Sequence, residues 1–405
     1  MTDIRAALAE LIVSPHFDTA YERAVADPER PAWLTEGYLT ELHTVYGVLP
    51  NTYGQACEAL RALGEDPFLL LYAKVLYHIL ATKEPYGKAF SALRTPEVPE
   101  GVKSTAGYDC VLLFPVLGHI KPSAELLAAR GVTPDVIASS LRWTDEFFAE
   151  STQKAGKPCY TAEYFAAYSA GIYVSTLIIG RLRFEIAPHV EKPVRVFRHT
   201  DGTLLALADG ARIHPSGQLV GSFGAEDDGG AYNADFCETA DAFEGYPVDQ
   251  STALVTQKRV RLAKSEWTQI FASGDDAVKV HIPVGGPLTP ALCEDSYARA
   301  RKYLPVWYPE HRFTCFLIGC WMLSPVLAEI LPPTANILTF ARPFLRYPIQ
   351  SNAADAFLYV FGIHAKTAAD VDLAALPEDG TLKRGVKQKA LEGKFIHQVG
   401  GYQPF

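Results

Sequence analysis

Apolar residues in the first 170 positions recur at helical spacing. Over residues 4–13 they fall at Ile4, Leu8, Leu11 and Ile12, one stripe of a 3.6-residue repeat. Residues 34–48, 53–63 and 67–80 keep that period, with Asn51 expected as an N-cap and Gly64 as a stop. Residues 94–107 are rich in proline and glycine and read as a linker. Thr133-Pro134 opens another helix, because proline's fixed φ and missing N–H suit the first helical position. Tyr160, Tyr164 and Tyr168 recur every four residues, placing three phenols on one helix face.

The period changes after position 180. Leu182, Phe184 and Ile186 alternate with Arg181, Arg183 and Glu185, as in a half-buried strand. Asp201-Gly202 separates two short alternating runs and predicts a hairpin, and Pro215-Ser216-Gly217 predicts a second. Residues 221–250 are polar, acidic and glycine-rich, and are expected to form a flexible loop or lid. Next come a helix over 265–272 capped by Ser265 and a strand over 277–282. Thr289-Pro290 then opens a helix to about Leu304. A strand over 313–319, a helix from Ser324-Pro325 to Leu331, and strands over 336–340, 344–349 and 356–363 follow. The fold class is α+β, with a helical N-terminal domain (1–170) followed by a mixed α/β sheet domain (171–405).

Composition narrows the function. A formal net charge of −9 argues against nucleic acid or an anionic membrane as partner. No run reaches the roughly 18–20 apolar residues of a membrane span. Asp3 and Glu10 do not suit a secretory leader. Seven cysteines without a C-x-x-C pair suit reduced thiols and no metal, so a cytoplasmic protein is expected, as monomer or homodimer.

The densest chemistry lies in His281-Ile282-Pro283-Val284-Gly285-Gly286, leading into Leu288-Thr289-Pro290. Glycines let a backbone approach a ligand, and a helix start offers free N–H groups to phosphate. This places Ile282, Val284, Gly285, Gly286, Leu288 and Thr289 in a candidate anion cradle. His281 has two readings, a base near neutral pH or a histidine bonded to backbone. Cys320 is a nucleophile if a histidine activates it, and otherwise a small buried residue. Ser324 is a helix cap or a proton donor. Trp321, Asn336, Tyr164 and Tyr168 are candidates for a substrate pocket, each with a packing role as the alternative.

The spaced residues Glu266-Trp267, Gly274-Asp275, His281-Ile282-Pro283, Gly285-Gly286, Leu288-Thr289, Cys293, Ser296, Cys320-Trp321-Met322-Leu323, Pro325, Leu331-Pro332, Asn336-Ile337 and Phe340 carry a resemblance over most of 180–362. They resemble a bacterial two-domain acyltransferase family, with an N-acyltransferase N-terminal domain and a GNAT-like C-terminal domain. The resemblance implies a GNAT-like sheet whose two central strands part to admit the pantetheine arm of acyl-CoA as co-substrate. The diphosphate would rest at the start of the helix after the first of them. The chain departs from the usual Q/R-x-x-G-x-G/A loop and lacks a tyrosine in the helix after Cys320. The implied activity is acyl transfer from a thioester to a small-molecule amine acceptor entering between the halves. The alternatives are a Cys-dependent thioesterase or transacylase and a non-catalytic acyl-CoA-binding protein.

Overall fold

The computed structural model describes residues 4–12, 14–82, 106–162, 164–165, 175–283 and 285–405. Most of the expected linker over 94–107 lies outside these residues, as do Tyr168 and Val284. Two compact units divide the chain at Met1–Ile179 and Gly180–Phe405.

The first unit is built of helices around one apolar core that includes Leu8, Leu34, Leu60, Leu76, Phe114 and Phe148. Helix Pro67–Leu80 starts as its sequence requires: Pro67 takes the first position, and the Asp66 carboxylate accepts from the N–H of Phe68 at 2.8 Å. The expected cap Asn51 acts differently. Helix Tyr53–Gly64 has Thr52 at its N-cap, without a side-chain capping bond. Asp145, buried and far along the chain, accepts instead from the backbone N–H of Asn51 (3.2 Å) and of Thr52 (3.0 Å). It also accepts from the Thr52 hydroxyl (2.6 Å) and the Asn51 amide (2.7 Å). Four donors replace the water a buried carboxylate has lost. Tyr160 precedes the short helical turn that holds Tyr164, and both are buried in this core.

In the second unit, one sheet positions the candidate site. The strands this unit contributes are β1 (Leu182–Ala187), β2 (Ala277–His281), β3 (Cys315–Cys320), β4 (Leu345–Pro348) and β5 (Val399–Pro404), in the order β1-β2-β3-β5-β4. Only β2 and β3 are parallel among these pairs, and helix α1 (Pro290–Trp307) connects them. The apolar side of β1 to β3 meets this helix through Phe184, Tyr297 and Phe316, whose rings lie 5.0–5.8 Å apart. A second, antiparallel sheet includes Val194–His199, Leu204–Ala208, Ala242–Asp249, Val260–Ala263 and Trp267–Phe271. A shared core containing Val196, Ala206, Val248, Leu317, Tyr347 and Tyr402 joins it to the first.

Several sequence expectations change here. Segment 221–250 contains strands Tyr232–Ala234, Cys237–Glu238 and Ala242–Asp249, the last central to the second sheet. The helix expected over 265–272 is strand Trp267–Phe271, recruited by pairing with Val194–His199. The strand expected over 336–340 is helix Asn336–Ala341, and that over 356–363 is helix Asp355–Phe361. Short apolar runs do not distinguish the two periods, so tertiary packing decides. Strand β5 escapes the sequence reading entirely. Its Gly400 lies under the Tyr347 ring and its Gly401 against Leu323, where a Cβ would collide with either side chain. Among the described residues, no helix is long and apolar enough to cross a membrane.

Candidate active site

Strands β2 and β3 share a short ladder. Val278 pairs with Phe316 and Lys279 with Leu317. Past that rung each strand pairs with its other neighbour: His281 lies opposite Arg183 on β1, and Cys320 opposite Val399 on β5. No β2–β3 pairing is found among the described residues beyond Lys279 and Leu317, and Gly319 is exposed there.

The chain leaves β2 into the glycine turn at this opening. Gly285 (φ +85°) and Gly286 (φ +67°) both adopt left-handed backbone, which a side chain disfavours. Both are exposed, and Ile282, Leu288 and Thr289 are half-buried. Thr289 caps α1, its hydroxyl accepting from the N–H of Leu292 at 3.5 Å, and Pro290 occupies the first helical position. A helix start of this kind keeps unpaired N–H groups and partial positive charge. Among the described residues, none accepts a hydrogen bond from the N–H of Gly285, Gly286 or Leu288.

His281 stands beside the turn with its side chain 45% exposed. It lies on the same face of β2 as Lys279, two residues earlier, and Lys279 is in register with Glu185. Glu185 bridges the pair, with one carboxylate oxygen 2.8 Å from His281 Nε2 and the other 2.9 Å from Lys279 Nζ. Burial alone would raise the Glu185 carboxyl. The His281 hydrogen bond and the Lys279 charge nonetheless hold it down to about 2. An ionised carboxylate only accepts hydrogen bonds, so Nε2 carries the proton and Nδ1 keeps its lone pair in neutral imidazole. The described partner of the His281 ring is thus a carboxylate and not backbone. Sequence reasoning missed Glu185, which lies 96 residues earlier. The one available signal was its polar phase in an alternating strand.

The other candidates do not converge on the turn. Burial pushes the Cys320 thiol up to about 12, with the N–H groups of Met322 and Leu323 opposing it. A thiol shifted this way is mostly protonated at neutral pH. Trp321 is buried in an apolar cluster with Leu327, Phe357 and Ile396, and packs core. Ser324 is buried and makes no capping bond to the 3₁₀ turn it precedes. It lines a cavity of about 210 Å³ with Gln218, Val326, Phe395 and His397. Burial lowers the His397 pKa against the opposing charge of Glu226. Asn336 is exposed at the start of its helix. Tyr164 stacks on Phe147 at 4.3 Å, and its hydroxyl accepts from Lys154 at 3.0 Å within the first unit's core. Among the described residues, no group of three His, Cys, Asp or Glu side chains forms a metal cluster.

Residues 177–403 match the family model described as a GNAT-like C-terminal domain. A crystal structure of an acyltransferase mutant in complex with octanoyl-CoA resembles this one with a TM-score of 0.63. It is 17% identical, and the match covers 100% of each chain. A crystal structure of an acyltransferase in complex with decanoyl-CoA and teicoplanin gives a TM-score of 0.61 at 18% identity, covering 99% of this chain and 98% of that one. At these identities the likeness is one of fold. No curated protein matches the sequence.

Proposed function

The chain belongs to the GNAT-like C-terminal domain family, and on that premise we propose that it moves an acyl group from acyl-CoA to an amine acceptor. The observation that carries this reading is that β2–β3 pairing ends at Lys279 and Leu317, just before an exposed Gly-Gly turn and a capped helix start. The opening suits a pantetheine arm, and the turn suits the diphosphate. The solved acyltransferases that share the fold are complexes with octanoyl-CoA and decanoyl-CoA, which supports the same donor class here.

In this reading His281 Nδ1 removes a proton as the amine nitrogen attacks the thioester carbonyl. Glu185 holds the imidazole by Nε2 and stabilises the imidazolium that forms. The C–S bond then breaks, and coenzyme A leaves as a thiolate that takes a proton from solvent. Gly285, Gly286, Leu288 and Thr289 hold the donor through backbone N–H groups, and Ile282 flanks the opening. The cysteine alternative is disfavoured by the upward pKa shift of the half-buried Cys320 thiol.

Isothermal titration with coenzyme A and octanoyl-CoA, followed by mass spectrometry of an amine panel, tests the proposal. Donor binding with amide product is the expected result. Absence of binding sinks it. Binding without product on any amine leaves only a non-catalytic acyl-CoA-binding protein, and an acyl adduct on Cys320 restores the thioesterase reading.

A further inference from the structure

The turn after β2 lacks the basic residue that opens the usual GNAT phosphate loop, and α1 carries Glu294 and Asp295 in its first turns. Both features oppose an anion. The structure supplies a cation from elsewhere. Arg181 precedes β1, more than a hundred residues earlier, and its guanidinium reaches the turn. Nη1 donates to the Pro283 carbonyl at 2.9 Å, Nη2 to the Gly286 carbonyl at 3.2 Å and Nε to the Pro287 carbonyl at 3.2 Å.

This clamp has a consequence for the amides. In a planar trans peptide the carbonyl and the following N–H point in opposite directions. Holding the Pro287 carbonyl toward Arg181 therefore turns the Leu288 N–H away from the cation, leaving it open to a ligand. Three of the five guanidinium N–H donors go to described carbonyls of the turn, and these neutral partners leave the positive charge in place. Arg181 is itself fixed. Its backbone N–H donates to the Ser296 hydroxyl at 2.8 Å, and that hydroxyl donates to the Leu292 carbonyl at 2.8 Å on α1. Ser296 is fully buried, and Gly180 (φ +65°) leaves the space that its hydroxyl fills.

We propose that Arg181 is the missing phosphate-loop cation. It holds the Pro287 carbonyl so that the Leu288 N–H faces outward, toward the donor's diphosphate, and sets a positive charge behind that amide. The inference rests on the acyl-CoA reading above and assigns the specificity for a nucleotide-bearing thioester to a residue outside the loop. Arg181 is a binding and positioning residue that takes no part in proton transfer.

The test compares coenzyme A with pantetheine, which has the thiol arm without the diphosphate. Titrations of the full chain would use wild type, Arg181→Met and Arg181→Lys, with thermal melting to confirm folding. Arg181→Met should weaken coenzyme A by about ten- to a hundredfold, the range for hydrogen bonds to a charged group, and leave pantetheine unchanged. It should also flatten the salt dependence of coenzyme A binding. Arg181→Lys keeps the charge but not the planar fork, and should lose severalfold in coenzyme A affinity alone. Equal loss for both ligands, in whichever variant remains folded, would reduce Arg181 to a scaffold role and overturn the inference. So would unchanged coenzyme A affinity, and either result leaves the donor reading standing. A wild type that binds no coenzyme A removes the donor reading and this inference together.

Discussion

Strand β3 has two neighbours and treats them differently. Toward β5 it pairs along its whole length, from Cys315 opposite Pro404 to Cys320 opposite Val399. Toward β2 it pairs only at Phe316 and Leu317. The β5 seam is buried and apolar, with Gly400 and Gly401 thinned to admit Tyr347 and Leu323. At the β2 seam the glycines are exposed, adopt left-handed backbone and lie beside an oriented histidine. Glycine therefore serves close packing in one place and open backbone in the other. The same strand is sealed where stability is made and opened where chemistry is proposed.

The sharpest way to break this contrast is to remove the base from the open side. His281→Ala should lower kcat by about a thousandfold, within the range for a general base, with donor affinity kept. Steady-state kinetics, with donor affinity titrated in parallel, would show it. On the sealed side, Gly401→Val should cost about 3 kcal/mol by overpacking, read from urea unfolding, and leave coenzyme A affinity unchanged in the folded fraction. Glu185 connects the two concerns. Its folded pKa is depressed, so its contribution is present above the ordinary carboxylate range and is lost as pH falls from about 4.5 toward about 2. Glu185→Gln should remove that acid-labile part, on the order of 2–3 kcal/mol, as seen in acid melts. Gly286→Val forces a branched residue into left-handed backbone and should weaken coenzyme A by about tenfold in titration. Cys320→Ser is the smallest change. Turnover should stay within about twofold, because a thiol held near 12 supplies no nucleophile.

Local signals were legible in the sequence. The Asp201-Gly202 hairpin, the Thr289-Pro290 helix start and the alternation over Leu182–Ala187 all match the structure. Each depends on neighbours in the chain. What stayed hidden depends on distant partners. Glu185 meets His281, Arg181 meets the glycine turn and Asp145 holds the Asn51–Thr52 segment before helix Tyr53–Gly64 only after the chain has folded. Strand β5 was invisible for a related reason, since glycine weakens strand propensity and its value appears only against Tyr347 and Leu323. The turn sequence announced close backbone approach, but not the arginine that orients it.

The most direct test is a crystal structure of the full chain with coenzyme A. The account predicts pantetheine density between His281 and Ile318, with the diphosphate against the Leu288 amide and the Arg181 bonds to the turn carbonyls kept. Density elsewhere, or β2 and β3 zipped together past Lys279 and Leu317, would contradict it.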